Sequence, residues 1–178
     1  MAVLIDTNVL LDFFLKRIEF YSDAKEIVRL ARTGEYEFKI TPITLGTTYY
    51  LIRKQFSHIE AMALLQEFSA VFPCVNSSNL ACQDALFMGL GDFEDAMQVA
   101  MAKSTCEMII TRNVADFKHC GMLVISPKDF CACKPKTIDF CIAEWIRKAK
   151  DIEKRSRPSR RSQRLRSIAI IRSVVISR

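Results

Sequence analysis

The sequence has few of the residues on which several common enzyme classes depend. Its two histidines, His58 and His119, are isolated, which excludes a histidine metal pair and gives no support for a serine–histidine triad. The five glycines never form a loop that could cradle phosphates. No apolar stretch approaches the length that a bilayer requires, and the chain runs from Met1 straight into an apolar segment without a signal sequence. We therefore expect a cytoplasmic protein with no membrane partner.

The cysteines do not form the paired pattern of a disulfide scaffold or a zinc site. Their number, seven, is odd, and they are scattered among mostly apolar neighbours. Cys131 and Cys133 are separated by one residue, whereas zinc knuckles use at least two. We expect reduced cysteines that fill the core.

The net charge of +6 conceals two regions of opposite sign. Residues 145–178 hold 12 Lys and Arg against two acids, whereas residues 1–144 hold 14 Lys and Arg against 18 acids. We expect a folded domain over residues 1–130, a connecting segment over 131–147 and a flexible basic tail over 148–178. The tail is either an electrostatic tether to RNA or a dispensable extension, and we favour the extension.

Short apolar segments alternate with amphipathic segments along the first 130 residues. Helix caps are predicted where a hydroxyl precedes proline, at Thr41-Pro42 and at Ser126-Pro127. The alternation predicts an α/β fold, a mostly parallel central sheet with helices on both faces. The predicted strands are residues 3–5, 37–40, 71–75, 106–110 and 123–125, of which 71–75 is broken by proline and is either near an edge or irregular.

The first candidate site residue is Asp6, which directly follows the predicted strand at residues 3–5. In open parallel sheets, ligands collect outside the carboxyl ends of the strands. A carboxylate held there by rigid backbone suits a metal ligand or a catalytic base. The alternative is that Asp6 or Asn8 only caps the following helix, which is the commoner role of such residues.

Two further acidic groups occupy comparable positions. Asp92, Glu94 and Asp95 begin a helix, where the helix dipole alone favours carboxylates. Asp95, however, lies near the apolar side of that helix. Asp116 follows the predicted strand at 106–110, where an Asx turn is the alternative explanation. The polar residues beside it are Thr111, Arg112 and Asn113.

Each acid alone has an ordinary structural explanation, but together the acids converge on one edge of one sheet. Carboxylates that meet there repel one another, and a hard divalent cation relieves that repulsion. Mg²⁺ or Mn²⁺ bound by oxygen ligands lowers the pKa of a bound water and offsets charge on a phosphate. The acids therefore indicate a metal-dependent site for phosphodiester hydrolysis.

Three segments match a known family in order and spacing. They are residues 3–12 (VLIDTNVLLD), 92–100 (DFEDAMQVA) and 109–117 (IITRNVADF). Through them the chain resembles a PIN domain over about residues 2–130, in the branch that includes the VapC-type toxins of bacterial toxin–antitoxin pairs. The resemblance implies a three-layer PIN-like fold and a Mg²⁺- or Mn²⁺-dependent ribonuclease. It also implies a homodimer and a small antitoxin whose tail fills the site.

The same resemblance implies roles for individual residues. Asp6, Asp95 and Asp116 correspond to the catalytic, metal-holding acids. Asn8 corresponds to the residue that orients Asp6. The other residues expected to line the site are Thr111 and Asn113, and Arg112 is expected to position the RNA backbone.

One position departs from the family pattern. Many of these nucleases carry a glutamate on the helix after the second strand, where this chain has Thr47. A threonine could hold a metal-bound water but supplies no charge, and Asp92 is the residue able to compensate.

Three functions follow from these observations. The favoured one is a metal-dependent endoribonuclease that acts as a toxin. The second is a PIN-like module that holds RNA or a protein without cutting, which the missing glutamate supports. A small-molecule phosphatase is the weakest, because Asp6-Thr7-Asn8 lacks the second acid of an Asp-x-Asp nucleophile.

Overall fold

A computed structural model describes residues 1–133, so the predicted tail at 148–178 and most of the connecting segment at 131–147 lie outside the described residues. The strands are β1 (Ala2–Ile5), β2 (Glu37–Lys39), β3 (Met108–Ile110) and β4 (Leu123–Ile125). The helices are α1 (Thr7–Phe14), α2 (Tyr21–Thr33), α3 (Pro42–Ile52), α4 (His58–Val71), α5 (Asn79–Phe87), α6 (Phe93–Ala102) and α7 (Pro127–Ala132). Among these helices, none is long and apolar enough to cross a membrane.

The four strands form one parallel sheet in the order β2-β1-β3-β4. In the central pair, Leu4 of β1 lies opposite Ile109 of β3. Both strands are buried along their whole length, which is why each appears in the sequence as a continuous apolar run. Because all four strands run in the same direction, the residues that follow β1 and β3 emerge at the same edge.

Alternate residues of β1 pack into two different cores. Val3 and Ile5 belong to the core formed with α1, α2, α3, α4 and α7. Ala2 and Leu4 belong to the core formed with α5 and α6. Since successive side chains of a strand point to opposite faces, the sheet is covered by helices on both sides. This arrangement confirms the predicted three-layer α/β fold.

Local sequence signals set several helix ends. The hydroxyls of Thr41, Ser78 and Ser126 each accept a backbone N–H in the first turn of α3, α5 and α7. Gly34 ends α2 in a left-handed conformation, with φ of 72°, which a residue with a Cβ rarely adopts.

The strand predicted over residues 71–75 is wrong. Helix α4 continues to Val71, and the only pairing in this stretch is an isolated parallel bridge between Ile40 and Cys74. Pro73 has no N–H to donate, although its carbonyl accepts from Ile40 N–H at 3.1 Å. Val71 therefore belongs to a helix, and residues 73–75 form a single bridge beside Ile40 instead of a full strand.

Candidate active site

Asp6 lies directly after β1 and is only 4 % exposed. Its backbone is fixed by the sheet, because its N–H donates to the Ile110 carbonyl of β3 at 3.1 Å. Although Asp6 occupies the N-cap position of α1, its side chain makes no capping hydrogen bond. The carboxylate instead contacts side chains from α1, from α6 and from the segment after β3.

One oxygen of Asp6, Oδ2, accepts hydrogen bonds from two residues predicted to belong to the site. Thr111 Oγ1 donates to it at 2.6 Å, and Asn8 Nδ2 donates from the first turn of α1. Asn8 also donates to Thr111 Oγ1 at 3.0 Å and accepts the Arg112 N–H through Oδ1 at 3.2 Å. Asn113 supports Thr111 through its backbone, whose N–H donates to Thr111 Oγ1 at 3.0 Å. The structure therefore brings Asn8 and Thr111 directly against Asp6.

The other oxygen of Asp6, Oδ1, accepts a hydrogen bond from a residue that the sequence analysis missed. Gln98 Nε2 donates to it at 3.1 Å, and Gln98 Oε1 accepts from Thr44 Oγ1 at 3.2 Å. Gln98 lies one turn after Asp95 in α6, among apolar residues, and it is 1 % exposed. A single amide in an otherwise apolar helical stretch is the signal that could have identified it.

Asp95 lies half-buried in the first turn of α6, and its surroundings disfavour its charged form. Burial raises its pKa to about 7, and the negative charges of Asp6, Asp92, Asp116 and Glu94 act in the same direction. The predicted acids therefore lie close enough to repel one another.

Asp92 is the N-cap of α6. Its Oδ1 accepts from the N–H groups of Glu94 at 2.7 Å and Asp95 at 3.4 Å. Its side chain is exposed, and its charge contributes to the raised pKa of Asp95. Glu94 accepts a hydrogen bond from Thr7 Oγ1 at 3.0 Å, which links the start of α6 to the start of α1.

Asp116 lies in the turns between β3 and β4 and is exposed. Its N–H donates to the Asn113 carbonyl at 3.0 Å, so this segment forms a tight turn. Its negative charge contributes to the raised pKa of Asp95.

Thr47, the residue at the position of the family's glutamate, is half-buried on α3. It lies one helical turn after Thr44, the residue that contacts Gln98. Helix α3 therefore reaches the site through a hydroxyl at Thr44 and brings no carboxylate at Thr47.

Arg112 is held by a second buried aspartate. Its Nε lies 2.8 Å from Asp12 Oδ2, and its guanidinium lies over the Phe20 ring at 4.2 Å from the centroid. Asp12 is 1 % exposed and also pairs with Arg17 Nη1 at 3.2 Å. In this structure Arg112 is a counter-ion of Asp12, a contact that the sequence analysis did not predict.

Carboxylate oxygens such as those of Asp6 are the ligand atoms that Mg²⁺ or Mn²⁺ prefers. Asp6 Oδ1 carries one side-chain hydrogen bond and retains capacity to accept more. No Lys, Arg or His of residues 1–133 forms an ion pair with Asp6, so its buried charge is met by neutral donors alone. Within the same residues, no three His, Cys, Asp or Glu side chains are grouped so that they could hold a metal ion. The oxygen atoms of Asp6, Asp95 and Asp116 fit a hard cation by their chemistry, although these side chains do not form a ligand cluster in this structure.

Several solved structures share this fold. VapBC2 from Rickettsia felis, bound to a DNA fragment from its promoter, matches with a TM-score of 0.56 at 16% identity, over 71% of this chain and 98% of that chain. VapBC-1 from nontypeable Haemophilus influenzae matches with a TM-score of 0.54 at 13% identity, over 72% and 99%. FitAcB from Neisseria gonorrhoeae matches with a TM-score of 0.52 at 16% identity, over 71% and 98%. At such identities the likeness is one of fold.

The sequence itself matches a family. No curated protein matches it, but the model of the PIN domain family matches residues 2–115, which include β1, α6 and β3 and end one residue before Asp116. PIN domains are in general nucleases, which supports a hydrolase role. From this match and the fold, the chain belongs to the PIN domain family.

Proposed function

We propose that this PIN domain is a Mg²⁺- or Mn²⁺-dependent endoribonuclease that hydrolyses phosphodiester bonds in RNA. The observation that carries the proposal is the situation of Asp6. It is a buried carboxylate with no cationic partner among the described residues, and its charge acts with burial to raise the pKa of Asp95 to about 7. A bound divalent cation would relieve both the burial of the charge and the repulsion.

Each residue of the site has a part in this function. Asp6, Asp95 and Asp116 would hold the cation, with Asp92 adding negative charge from the start of α6. When bound, the cation would supply a lowered pKa for water and would offset charge on the phosphate. Asn8 and Thr111 keep the Asp6 carboxylate in one orientation. Asn113 and Thr47 line the site, and the partly exposed face of Arg112 is available to the RNA backbone.

We further propose that the protein is the toxin of a toxin–antitoxin pair in the cytoplasm. This proposal is supported by the fold shared with VapBC2, VapBC-1 and FitAcB. A small antitoxin and a homodimer are the expected partners. Expression of the wild type should arrest growth, expression of Asp6→Asn should not, and light scattering should give the mass of a dimer.

The direct test is cleavage of a panel of tRNA and single-stranded RNA with Mn²⁺ and with EDTA. We expect cleavage by the wild type with Mn²⁺, and none with EDTA or with Asp6→Asn, because either change removes the cation. Asp84→Asn is the matched control, since Asp84 pairs with Lys103 at the surface of α5, outside the site. Cleavage by folded Asp6→Asn at the normal rate would contradict the proposal.

A second function is favoured by Thr47, which leaves α3 without the glutamate that many related nucleases carry. The protein would then be a PIN-like module that binds RNA or a protein without cutting. It is distinguished by a folded wild type that binds RNA but neither cuts it nor binds Mn²⁺ at stoichiometric amounts.

A further inference from the structure

A chain of buried hydrogen bonds reaches Asp6 from α3 and α6. Gln98 donates to Asp6 Oδ1 at 3.1 Å and accepts from Thr44 Oγ1 at 3.2 Å. Thr44 Oγ1 lies 2.8 Å from Thr41 Oγ1, the N-cap hydroxyl of α3. Gln98, Thr44 and Thr41 are all almost completely buried. The four side chains therefore form a continuous polar path through the interior.

The direction of every bond in this path follows from the atoms involved. Gln98 Oε1 can only accept, so Thr44 donates its single hydroxyl hydrogen to it, and Thr41 must then donate to Thr44. A flipped Gln98 amide would place its oxygen against the Asp6 carboxylate, where two acceptors would face each other. All the hydrogen bonds therefore point toward Asp6, and none of the donors is charged.

We propose that Gln98 is a positioning residue, which Thr44 holds so that its amide fixes the Asp6 carboxylate in the orientation that binds the cation. The inference rests on the proposed function, because it concerns the same site. Neutral donors orient a carboxylate without neutralising it, so its negative charge remains for a cation. We call the three side chains of Thr41, Thr44 and Gln98 the neutral relay. Through this relay helix α3 acts on the metal site, although Thr47 supplies no acid.

The test compares two substitutions at Thr44 that separate hydrogen bonding from packing. Thr44→Ser keeps the hydroxyl and loses a methyl group, whereas Thr44→Val keeps the volume and loses the hydroxyl. The measurements are the Kd for Mn²⁺ by calorimetry, and kcat and KM for an RNA that the wild type cleaves. We expect Thr44→Ser to remain close to the wild type, and Thr44→Val to bind Mn²⁺ more weakly and to lose kcat.

Gln98→Met tests the relay at its end, because methionine keeps the length of the side chain and removes both polar atoms. Partners that orient metal ligands typically change affinity or activity by about 10- to 100-fold, and we expect a loss of that size in Mn²⁺ affinity and kcat, with a smaller change in KM. Thr48→Val is the matched control. Thr48 is also buried on α3, but its hydroxyl has no hydrogen-bond partner among residues 1–133.

The outcomes separate this inference from the proposed function. Suppose that the wild type binds Mn²⁺ and cuts RNA. If Thr44→Val then has a Mn²⁺ affinity and a kcat equal to or higher than those of Thr44→Ser, the role of Gln98 and Thr44 is wrong and the proposed nuclease stands. If Gln98→Met folds, as judged by circular dichroism, and binds Mn²⁺ like the wild type, the relay is also wrong. A wild type that neither binds Mn²⁺ nor cuts RNA overturns both. If Gln98→Met does not fold, the comparison of Thr44→Ser with Thr44→Val alone decides whether Gln98 positions Asp6.

Discussion

Two buried aspartates, Asp6 at the N-cap of α1 and Asp12 in its last turn, compensate the cost of burial in different ways. Asp12 is paired with Arg112 and Arg17, which are cations of the same chain. Asp6 is held by the neutral donors Asn8, Thr111 and Gln98. A carboxylate taken out of water needs a compensating charge or strong hydrogen bonds. The chain supplies that charge at Asp12, whereas no described residue supplies it at Asp6.

The forces on the two carboxyl groups reflect this difference. Burial raises the pKa of both aspartates. At Asp12 the charge of Arg112 is the largest opposing influence, whereas at Asp6 the opposing influences are hydrogen bonds, first from Thr111 and then from Gln98. Thr111 and Arg112 are neighbours after β3, so a single segment serves both aspartates. One aspartate is thus a completed ion pair, and the other is a candidate ligand.

The largest effect should come from replacing each aspartate by asparagine in the metal-free protein. Asp12→Asn should destabilise the domain by about 3 kcal/mol, because it breaks a buried ion pair. Asp6→Asn should cost much less, because the loss of one hydrogen-bond acceptor is offset by the removal of a buried charge that has no cation. Chemical denaturation in EDTA measures both, and equal losses would remove the distinction between the two sites.

Mn²⁺ should stabilise the folded protein only when the Asp6 carboxylate is present. At a free concentration of 100 times its Kd, a cation that binds only the folded state adds about 2.7 kcal/mol to the free energy of unfolding. We expect this gain in the wild type and in Asp12→Asn, and none in Asp6→Asn. Thermal unfolding with and without Mn²⁺ measures it; a gain of the same size in Asp6→Asn would place the cation elsewhere.

The pH dependence of stability should reflect the acids around Asp6. The folded-state pKa of Asp95 is about 7, against 3.8 for its ordinary value, so between these pH values the folded state binds a proton that the unfolded state has released. The metal-free domain should therefore be more stable at pH 4 and lose that contribution as the pH rises through 7. Asp95→Asn should reduce the slope, which denaturation at several pH values measures. An unchanged slope would show that neither burial nor the neighbouring carboxylates raise the pKa of Asp95.

The smallest effect is expected at Arg17, the more exposed partner of Asp12. Arg17→Met should cost about 1 kcal/mol or less, because Asp12 keeps Arg112 and the lost ion pair is partly exposed to solvent. Arg29→Met, which breaks the exposed pair of Arg29 with Glu26, is the matched control in denaturation experiments. A loss at Arg17 as large as that of Asp12→Asn would mean that Arg112 contributes little.

The sequence predicted those features of the fold and site that depend on local patterns and on strand direction. Asp6 and Thr111 could be placed together because both follow strands that run in parallel. The strand at 71–75 was wrong because apolar residues before Pro73 satisfy a helix as well as a strand. The contacts of Gln98 with Asp6 and of Arg112 with Asp12 join residues distant in sequence. Such contacts depend on how α6 and the segment after β3 pack on β1 and α1, which no local pattern specifies.

The most direct test of the difference between Asp6 and Asp12 is calorimetric titration of the metal-free wild type, Asp6→Asn and Asp12→Asn with Mn²⁺. We predict stoichiometric binding by the wild type, retained binding by folded Asp12→Asn, and loss of binding by Asp6→Asn. Equal binding by the wild type and Asp6→Asn, or no binding by a folded wild type, would contradict the assignment of Asp6 as the carboxylate whose counter-ion is a metal.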